Sequence, residues 1–228
     1  MSRDRNVTEL SPDLLLRAYA AGIFPMAEAH DDDQIFWVDP EERGILPLDR
    51  YHIPRSLKKE VRKQRFDVRF DSAFEQVLDL CAEQTTDRSN TWINTPIRNA
   101  VVSLHDMGFA HSVETWVDDE LVGGLYGIAL GSAFFGESMF SRRTNASKVA
   151  LVHLLAILQV GHFQLLDTQF VTDHLITFGA IEIPSEDYLA RLELALNYQS
   201  QFHNEISKIQ LGKAVENVLI NSVSRVSE

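Results

Sequence analysis

Cysteine is almost missing from this chain: Cys81 is the single one among 228 residues. That excludes an intrachain disulfide framework and suits a reducing cytoplasm. Long apolar runs are missing too. None approaches the roughly 20 residues that cross a bilayer, and Met1-Ser2-Arg3-Asp4-Arg5 has no apolar stretch behind it, so neither a membrane span nor a signal peptide is expected. Metal-ligand spacing is absent. His111 and His174 stand without partners in sequence, Asp31-Asp32-Asp33 lacks the further ligands of an EF-hand and reads as a solvated loop tip, and no metal is expected. Positive charge is scarce overall. A net charge of −12 argues against a protein that coats nucleic acid without selectivity.

What is present is an ordinary globular composition, 45% hydrophobic and 24% charged. The scarce positive charge is also concentrated. From Arg50 to Arg69 the chain carries Arg50, Arg55, Lys58, Lys59, Arg62, Lys63, Arg65 and Arg69 against Glu60 and Asp67. A helix Ile53–Lys63, opened by Pro54, bears most of them. It reads either as a solvated face or as a grip on RNA phosphates.

Punctuation by caps and breakers sets the element order. Ser11-Pro12-Asp13 starts a helix Leu14–Ala21 that Gly22 ends. Short extended pieces follow at Trp37–Pro40 and Gly44–Leu48. Up to about Tyr51 the chain reads as a small, proline-punctuated domain (1–51). Phe66–Phe70 alternates like a strand, and Ser72-x-x-Glu75 reads as a capping box for a helix Phe74–Cys81, with Cys81 on its core face. Thr95-Pro96 begins a helix with Ile97, Ala100, Val101 and Leu104 on one side, ended by Gly108. Ala110–Val117 and Leu121–Leu130 form a hairpin around Asp118-Asp119. Ser132–Phe140, the helix Ala146–Gln159 and Phe163–Phe170 make a strand–helix–strand crossover, so those two strands run parallel. Asn145 or Thr144 is the expected cap of that helix. A short helix from Thr172-Asp173, a strand Ile181–Ile183 and a helix to Leu196 complete a second domain (52–196). The tail 197–228 is polar with some helical periodicity and receives no chemistry. The fold class is α+β with a mixed sheet.

Hairpins followed by strand–helix–strand is the order of acetyltransferases of the GCN5-related type. Those carry a glycine-rich pyrophosphate loop at the strand-to-helix turn. The turn here, Arg142-Arg143-Thr144-Asn145-Ala146-Ser147, has no glycine, which disfavours coenzyme-A-dependent acetyl transfer. Three polar residues on otherwise apolar strands stand out instead. Asp167 and Gln169 are two strand steps apart, roughly 6.5–7 Å, on one face. Phe135, Glu137 and Met139 share a face on Ser132–Phe140. If the strands are neighbours, Glu137, Asp167 and Gln169 converge on one cleft. A carboxylate coupled to an amide can orient and deprotonate an attacking amine. The bland alternative has both acids capping helices or pairing with Arg142 and Arg143. Trp37, Trp92 and Trp116 are core by default, although Trp37 and Trp92 sit in turn-rich contexts where a ring can stack on a nucleobase. A non-catalytic RNA-binding module is the other rival.

Several co-linear motifs carry a resemblance: Ala18-Tyr19-Ala20-Ala21-Gly22-Ile23-Phe24-Pro25, Phe36-Trp37, His52-Ile53-Pro54-Arg55-Ser56, Thr91-Trp92-Ile93, Ala110–Glu114, Gly136–Arg142 and Leu166-Asp167-x-Gln169. Over about residues 14–196 the chain resembles the leucyl/phenylalanyl-tRNA–protein transferases. The resemblance implies a small N-terminal domain and an acetyltransferase-like domain. It implies transfer of Leu or Phe, sometimes Met, from charged tRNA to proteins beginning with Lys or Arg, marking them for N-end-rule degradation through a downstream protease adaptor. No cofactor is implied, because the ester is already activated. By position, Asp167 and Gln169 match a catalytic relay and Glu137 its acidic partner. Trp37 and Trp92 match tryptophans near the terminal adenosine, and Leu125, Phe134 and Gly136 fall at the amino-acid pocket. Leu125 stands where methionine is frequent, and Phe135 replaces a smaller residue. The basic helix, with Arg55, Lys58, Lys59, Arg62 and Lys63, would hold the acceptor stem.

Overall fold

A computed structural model describes residues 10–84 and 91–223, so the leading Met1–Arg5 segment lies outside the described residues. Helix α1 (Pro12–Ala20) starts where the Ser11 side chain accepts the Leu14 amide. Strands β1 (Phe24–Met26) and β2 (Phe36–Val38) form a small antiparallel pair. Then come β3 (Glu42–Ile45), α2 (Arg55–Arg62), β4 (Asp67–Phe70), α3 (Phe74–Ala82) and α4 (Thr95–Asp106). The hairpin is β5 (Ala110–Val117) and β6 (Glu120–Leu130), and Asp118 and Asp119 at its tip both take positive φ, as a tight hairpin turn requires. Next are β7 (Ala133–Ser141), α5 (Ala146–Val160), β8 (Leu165–Gln169), α6 (Asp173–Ile176), β9 (Ile181–Pro184), α7 (Ser185–Leu196) and α8 (Lys208–Asn221).

Seven strands form one mixed sheet in the order β4-β5-β6-β7-β8-β3-β9. The expected crossover is there: β7 and β8 pair in parallel, joined by α5, and the other neighbours are antiparallel. Strand β3 lies between β8 and β9, so the N-terminal segment supplies an interior strand of the sheet. One face of the sheet packs against α1, α3, α4 and α7, with Leu15, Tyr19, Phe74, Val77, Leu104 and Tyr188 in that core. The other face packs against α2, α5 and α8 through Leu57, Val61, Leu151, Leu155, Val218 and Leu219. Helix α5 carries apolar residues on nearly all sides because it is buried between sheet and neighbouring helices.

Two caps differ from expectation. Ser72 does not cap α3; its hydroxyl bonds to Glu114, and Ala73 is the N-cap without a side-chain bond. The fully buried Glu114 needs donors, and it takes the Ala73 amide at 2.8 Å, the Ser112 hydroxyl at 2.9 Å and the Trp116 indole at 3.1 Å as well. Asn145 does precede α5, but in the left-handed region (φ 70°) and with no side-chain cap bond. The tail is more than a polar appendage. Ser207 and Gln210 form a capping box for α8, and Phe202 stacks on His111 (4.2 Å) and Phe134 (5.8 Å). Among the described residues no helix is long and apolar enough to cross a membrane.

Candidate active site

The parallel pairing of β7 with β8 runs from Ala133↔Leu165 to Phe135↔Asp167 and stops there. Both strands then become irregular. On β7, Gly136 pairs with Gly127 and Ser138 with Tyr126, which leaves Glu137 as the extra residue of a bulge. A bulge reverses the alternation of faces beyond it. Phe135 accordingly packs in the α3/α4 core and Met139 on the α5 side, not on one face as simple alternation predicts. On β8, Ile45↔Asp167 and Gly44↔Gln169 leave Thr168 as the extra residue against β3. Gln169 then takes φ 58°, and the Phe170 amide bonds back to the Thr168 carbonyl at 2.6 Å. This three-residue turn is uncommon and strained for a residue with a side chain.

Asp167 is what holds the turn. It is fully buried and accepts the Gln169 main-chain amide at 2.7 Å through Oδ1. Arg43 on β3, 1% exposed, reaches the same carboxylate through Nε (3.0 and 3.2 Å) and Nη2 (2.6 Å). The Tyr188 hydroxyl of α7 adds a bond at 2.6 Å. Arg43 is itself fixed: Nη1 donates to the Gly22 carbonyl at 2.7 Å, and its guanidinium lies 4.5 Å from the centroids of both Phe24 and Tyr188. Burial alone would lower the Arg43 pKa, and the bonds and charge of Asp167 more than reverse that, so it stays cationic. Burial, then the Asp167 charge, pushes the Tyr188 phenol far up, so it is a donor. Two glycines make the close approach possible. Gly22 turns out of α1 at φ 81°, and a Cβ on Gly44 would lie 2.8 Å from the Phe170 carbonyl carbon and 2.9 Å from Thr168 Oγ1.

Glu137 has a different setting. It accepts the Gln169 carboxamide at 2.7 Å (Nε2 to Oε1) and is in hydrogen-bonding range of the Tyr19 hydroxyl. Burial pushes its pKa up to about 8; the Tyr19 bond opposes the shift, and the nearby Asp167 charge adds to it. Both Glu137 and Gln169 line a cavity of about 490 Å³ that opens where the strands separate. Part of its wall is aliphatic: Leu125, Met139, Leu151, Leu154, Leu166 and Leu175. Another part is aromatic, with Phe24, Trp92, Tyr126, Phe140 and Phe170, the last 46% exposed. Thr168 Oγ1 and His174 Nε2 belong to two further wall residues, and both atoms are buried without a hydrogen-bond partner among the described residues. Burial, and the charge of Lys148, lower the His174 pKa, which leaves it neutral.

The sequence-derived candidates thus separate. Glu137, Gln169, Trp92, Leu125 and Gly136 meet at the cavity. Asp167 lies behind the wall and touches Gln169 through the main chain, not through the carboxamide. Phe134 is fully buried against Phe163 and Phe202 and is not part of the cavity wall. Trp37 sits on β2, half-buried, pairing with Pro25, and is not part of the wall either. On α2, Arg62 pairs with Glu216 of α8 (2.7 Å) and Lys63 with Glu60 (3.4 Å), while Arg55 and Lys59 are exposed and Lys58 is half-buried. Sequence reasoning missed Arg43, Tyr188, Thr168 and the pairing of Tyr19 with Glu137. Arg43 follows Glu41-Glu42 and looks like surface; nothing local marks it. Among the described residues there is no cluster of three or more His, Cys, Asp or Glu able to hold a metal.

Comparison with known proteins identifies the family. A family model described as leucyl/phenylalanyl-tRNA protein transferase matches residues 45–193, and one described as the N-terminal domain of that transferase matches residues 8–41. A leucyl/phenylalanyl-tRNA–protein transferase of Paramagnetospirillum magneticum (strain ATCC 700264 / AMB-1) is 62% identical over 187 residues, 82% of this chain and 90% of that protein. One from Zymomonas mobilis subsp. mobilis (strain ATCC 31821 / ZM4 / CP4) is 60% identical over 188 residues, 82% of this chain and 70% of that protein. A solved structure of a functionally unknown conserved protein from Staphylococcus epidermidis ATCC 12228 shares 12% identity at a TM-score of 0.39, over 77% of this chain and 65% of that one. That likeness is too slight to bear on the fold.

Proposed function

The chain belongs to the leucyl/phenylalanyl-tRNA–protein transferase family, and on that premise we propose that it moves Leu or Phe, and also Met, from charged tRNA to the α-amine of proteins beginning with Lys or Arg. The observation that carries this reading is the apolar cavity edged by the Glu137–Gln169 pair, where the two parallel strands part. The aliphatic wall suits a Leu, Met or Phe side chain, whose full burial contributes about 1.5–3 kcal/mol. One methylene of misfit costs about 1–3 kcal/mol, so the shape of the wall selects the donor. Leu125 and Gly136 border that pocket in this reading. Trp92 offers a ring to the terminal adenosine, and Trp37, outside the wall, stands further along the same nucleotide path. The aminoacyl ester is already activated, so no cofactor is required.

The polar edge supplies the chemistry. The acceptor amine, with an ordinary pKa of about 7.7–8.0, is in good part neutral near pH 7.5 and attacks the ester carbonyl. Gln169 and Glu137 make up the edge at which it is oriented, and Asp167 behind them holds the Gln169 main-chain amide. The acidic surface of a chain with net charge −12 suits an acceptor that carries both an ammonium and a Lys or Arg side chain. Helix α2 grips acceptor-stem phosphates in this reading. Arg55, Lys58 and Lys59 carry that part, since Arg62 and Lys63 already face carboxylates. The order hairpin, β7, α5, β8 supports the acetyltransferase-like description of the larger domain. The turn into α5 has no glycine, and its Arg142 and Arg143 pair with Glu83 and Glu120, which leaves the acetyl-CoA alternative without support. The product would pass to a protease adaptor in the cytoplasm.

The test mixes the protein with radiolabelled Phe-tRNA and peptides beginning with Arg, Lys or Ala. Label is expected on the Arg and Lys peptides and not on the Ala peptide; no label on either basic peptide sinks the reading. Replacing Lys58 and Lys59 by Ala is expected to flatten the salt dependence of transfer, and an unchanged slope removes α2 as the phosphate grip.

A further inference from the structure

Two carboxylates serve this site, and their surroundings fit them for different work. Asp167 is fully buried and absent from the cavity wall. A carboxylate offers about four lone-pair positions, and those of Asp167 are filled by Arg43 Nε and Nη2, the Tyr188 hydroxyl and the Gln169 main-chain amide. It has neither a path to substrate nor a free lone pair for a proton. Glu137 sits at the bulge of β7 and lines the cavity, with Oε1 bonded to the Gln169 carboxamide. That bond uses Gln169 Nε2, so the Gln169 carbonyl oxygen is left to accept an N–H from an incoming amine. A carboxamide can orient an amine in this way, but it does not take up a proton.

Within the transferase reading, on which this rests, we propose that Glu137 is the catalytic residue that takes the proton of the acceptor amine, and that Asp167, held by Arg43 and Tyr188, is a positioning residue that fixes the strained Gln169 turn and never meets substrate. The neutral amine attacks the ester carbonyl carbon and the C–N bond forms. One amine proton passes to the ionised Glu137. As the bond from carbon to the ribose oxygen breaks, Glu137 returns that proton to the leaving oxygen, so it ends the cycle ionised again and the peptide bond and free ribose hydroxyl are the products. A carboxylate whose pKa lies near working pH is well matched to both transfers. The groups that face Glu137 are Tyr19 from α1, Arg43 from β3, Asp167 and Gln169 from β8 and, further off, Tyr188 from α7.

Single-turnover transfer of Phe to an Arg-initiated peptide, measured from pH 6 to 9.5 on full-length protein, separates the roles. Two peptides whose α-amines differ in pKa distinguish the titration of the amine, which follows the peptide, from that of Glu137, which does not. Glu137→Gln is expected to slow transfer about 10²–10⁴-fold, to lose the peptide-independent limb near pH 8, and to bind Phe-tRNA within about threefold of wild type. The paired neutral variant Arg43→Gln/Asp167→Asn keeps an acceptor for the Gln169 amide without burying a lone charge. It is expected to retain the limb and to transfer within about tenfold of wild type. Glu137→Gln transferring within threefold of wild type overturns the proposal, whether or not the double variant folds. A folded double variant as slow as Glu137→Gln overturns the role of Asp167. A wild-type protein inert toward Phe-tRNA would instead remove the transferase reading itself.

Discussion

The two acids on adjoining strands show how one sheet can surround one carboxylate with donors and leave another with few. Behind β8, Asp167 is saturated: a guanidinium, a phenol and a main-chain amide all donate to it, and Arg43 is in turn wedged between two aromatic rings. At the edge of β7, Glu137 has a carboxamide and a phenol but no paired cation among the described residues, and burial raises its pKa to about 8. Asp167 is fully buried, and Glu137 is half-buried on the cavity wall. The charge of one is matched by Arg43 at 2.6 Å, while the other, with its pKa raised, is poised to change charge. A buried acid thus becomes reactive when the fold withholds its counter-ion.

The sharpest way to break this contrast is to remove the cation. Arg43→Ala leaves Asp167 buried without its partner, and a loss of about 3–5 kcal/mol is expected in urea unfolding; a midpoint unchanged from wild type would show that Asp167 needs no anchor. Glu137→Gln acts in the opposite direction. The folded-state pKa of about 8 lies above the ordinary 4.5, so the unfolded chain gives up this proton first. The associated stability is intact below pH 4.5 and is lost as pH rises toward 8. Removing the acid is expected to stabilise the protein by on the order of a few kcal/mol at pH 9, with the gain vanishing near pH 4. Melting curves at both pH values check it, and a variant less stable than wild type at pH 9 would contradict the raised pKa. Tyr188→Phe keeps the ring against Arg43 and deletes one charge-assisted bond, so a loss of about 1.5–3 kcal/mol is expected by the same unfolding assay. The smallest effect belongs to the turn. At φ 58° glycine is unstrained, so Gln169→Gly should be more stable than Gln169→Ala by about 1 kcal/mol, and equal stabilities would mean the turn relaxes.

Much of this was visible in the residues alone. Caps at Ser11 and Thr172, the Asp118-Asp119 hairpin and the crossover from β7 to β8 are local signals, each read from a few neighbouring residues. The convergence of Glu137 with Gln169 followed from strand adjacency. Its detail did not, because strict alternation was assumed along β7, and the bulge at Glu137 breaks it. Phe134 lies outside the cavity wall because the aromatic rings of Phe163 and, from the tail, Phe202 pack against it. Ser72 reads as a cap in the sequence, since nothing in its neighbourhood announces that Glu114, 42 positions on, claims its hydroxyl.

By itself the sequence determined the α+β order, the apolar strands and the presence of two acids and an amide on them, because periodicity and turn chemistry act over a few residues. Only the tertiary structure decided which acid faces the cavity. That choice depends on Arg43, 124 positions from Asp167, on Tyr188 from a later helix and on Tyr19 from the first. A charge is stabilised or left reactive by whatever the fold brings within about 3 Å of it, and that distance has no counterpart along the chain.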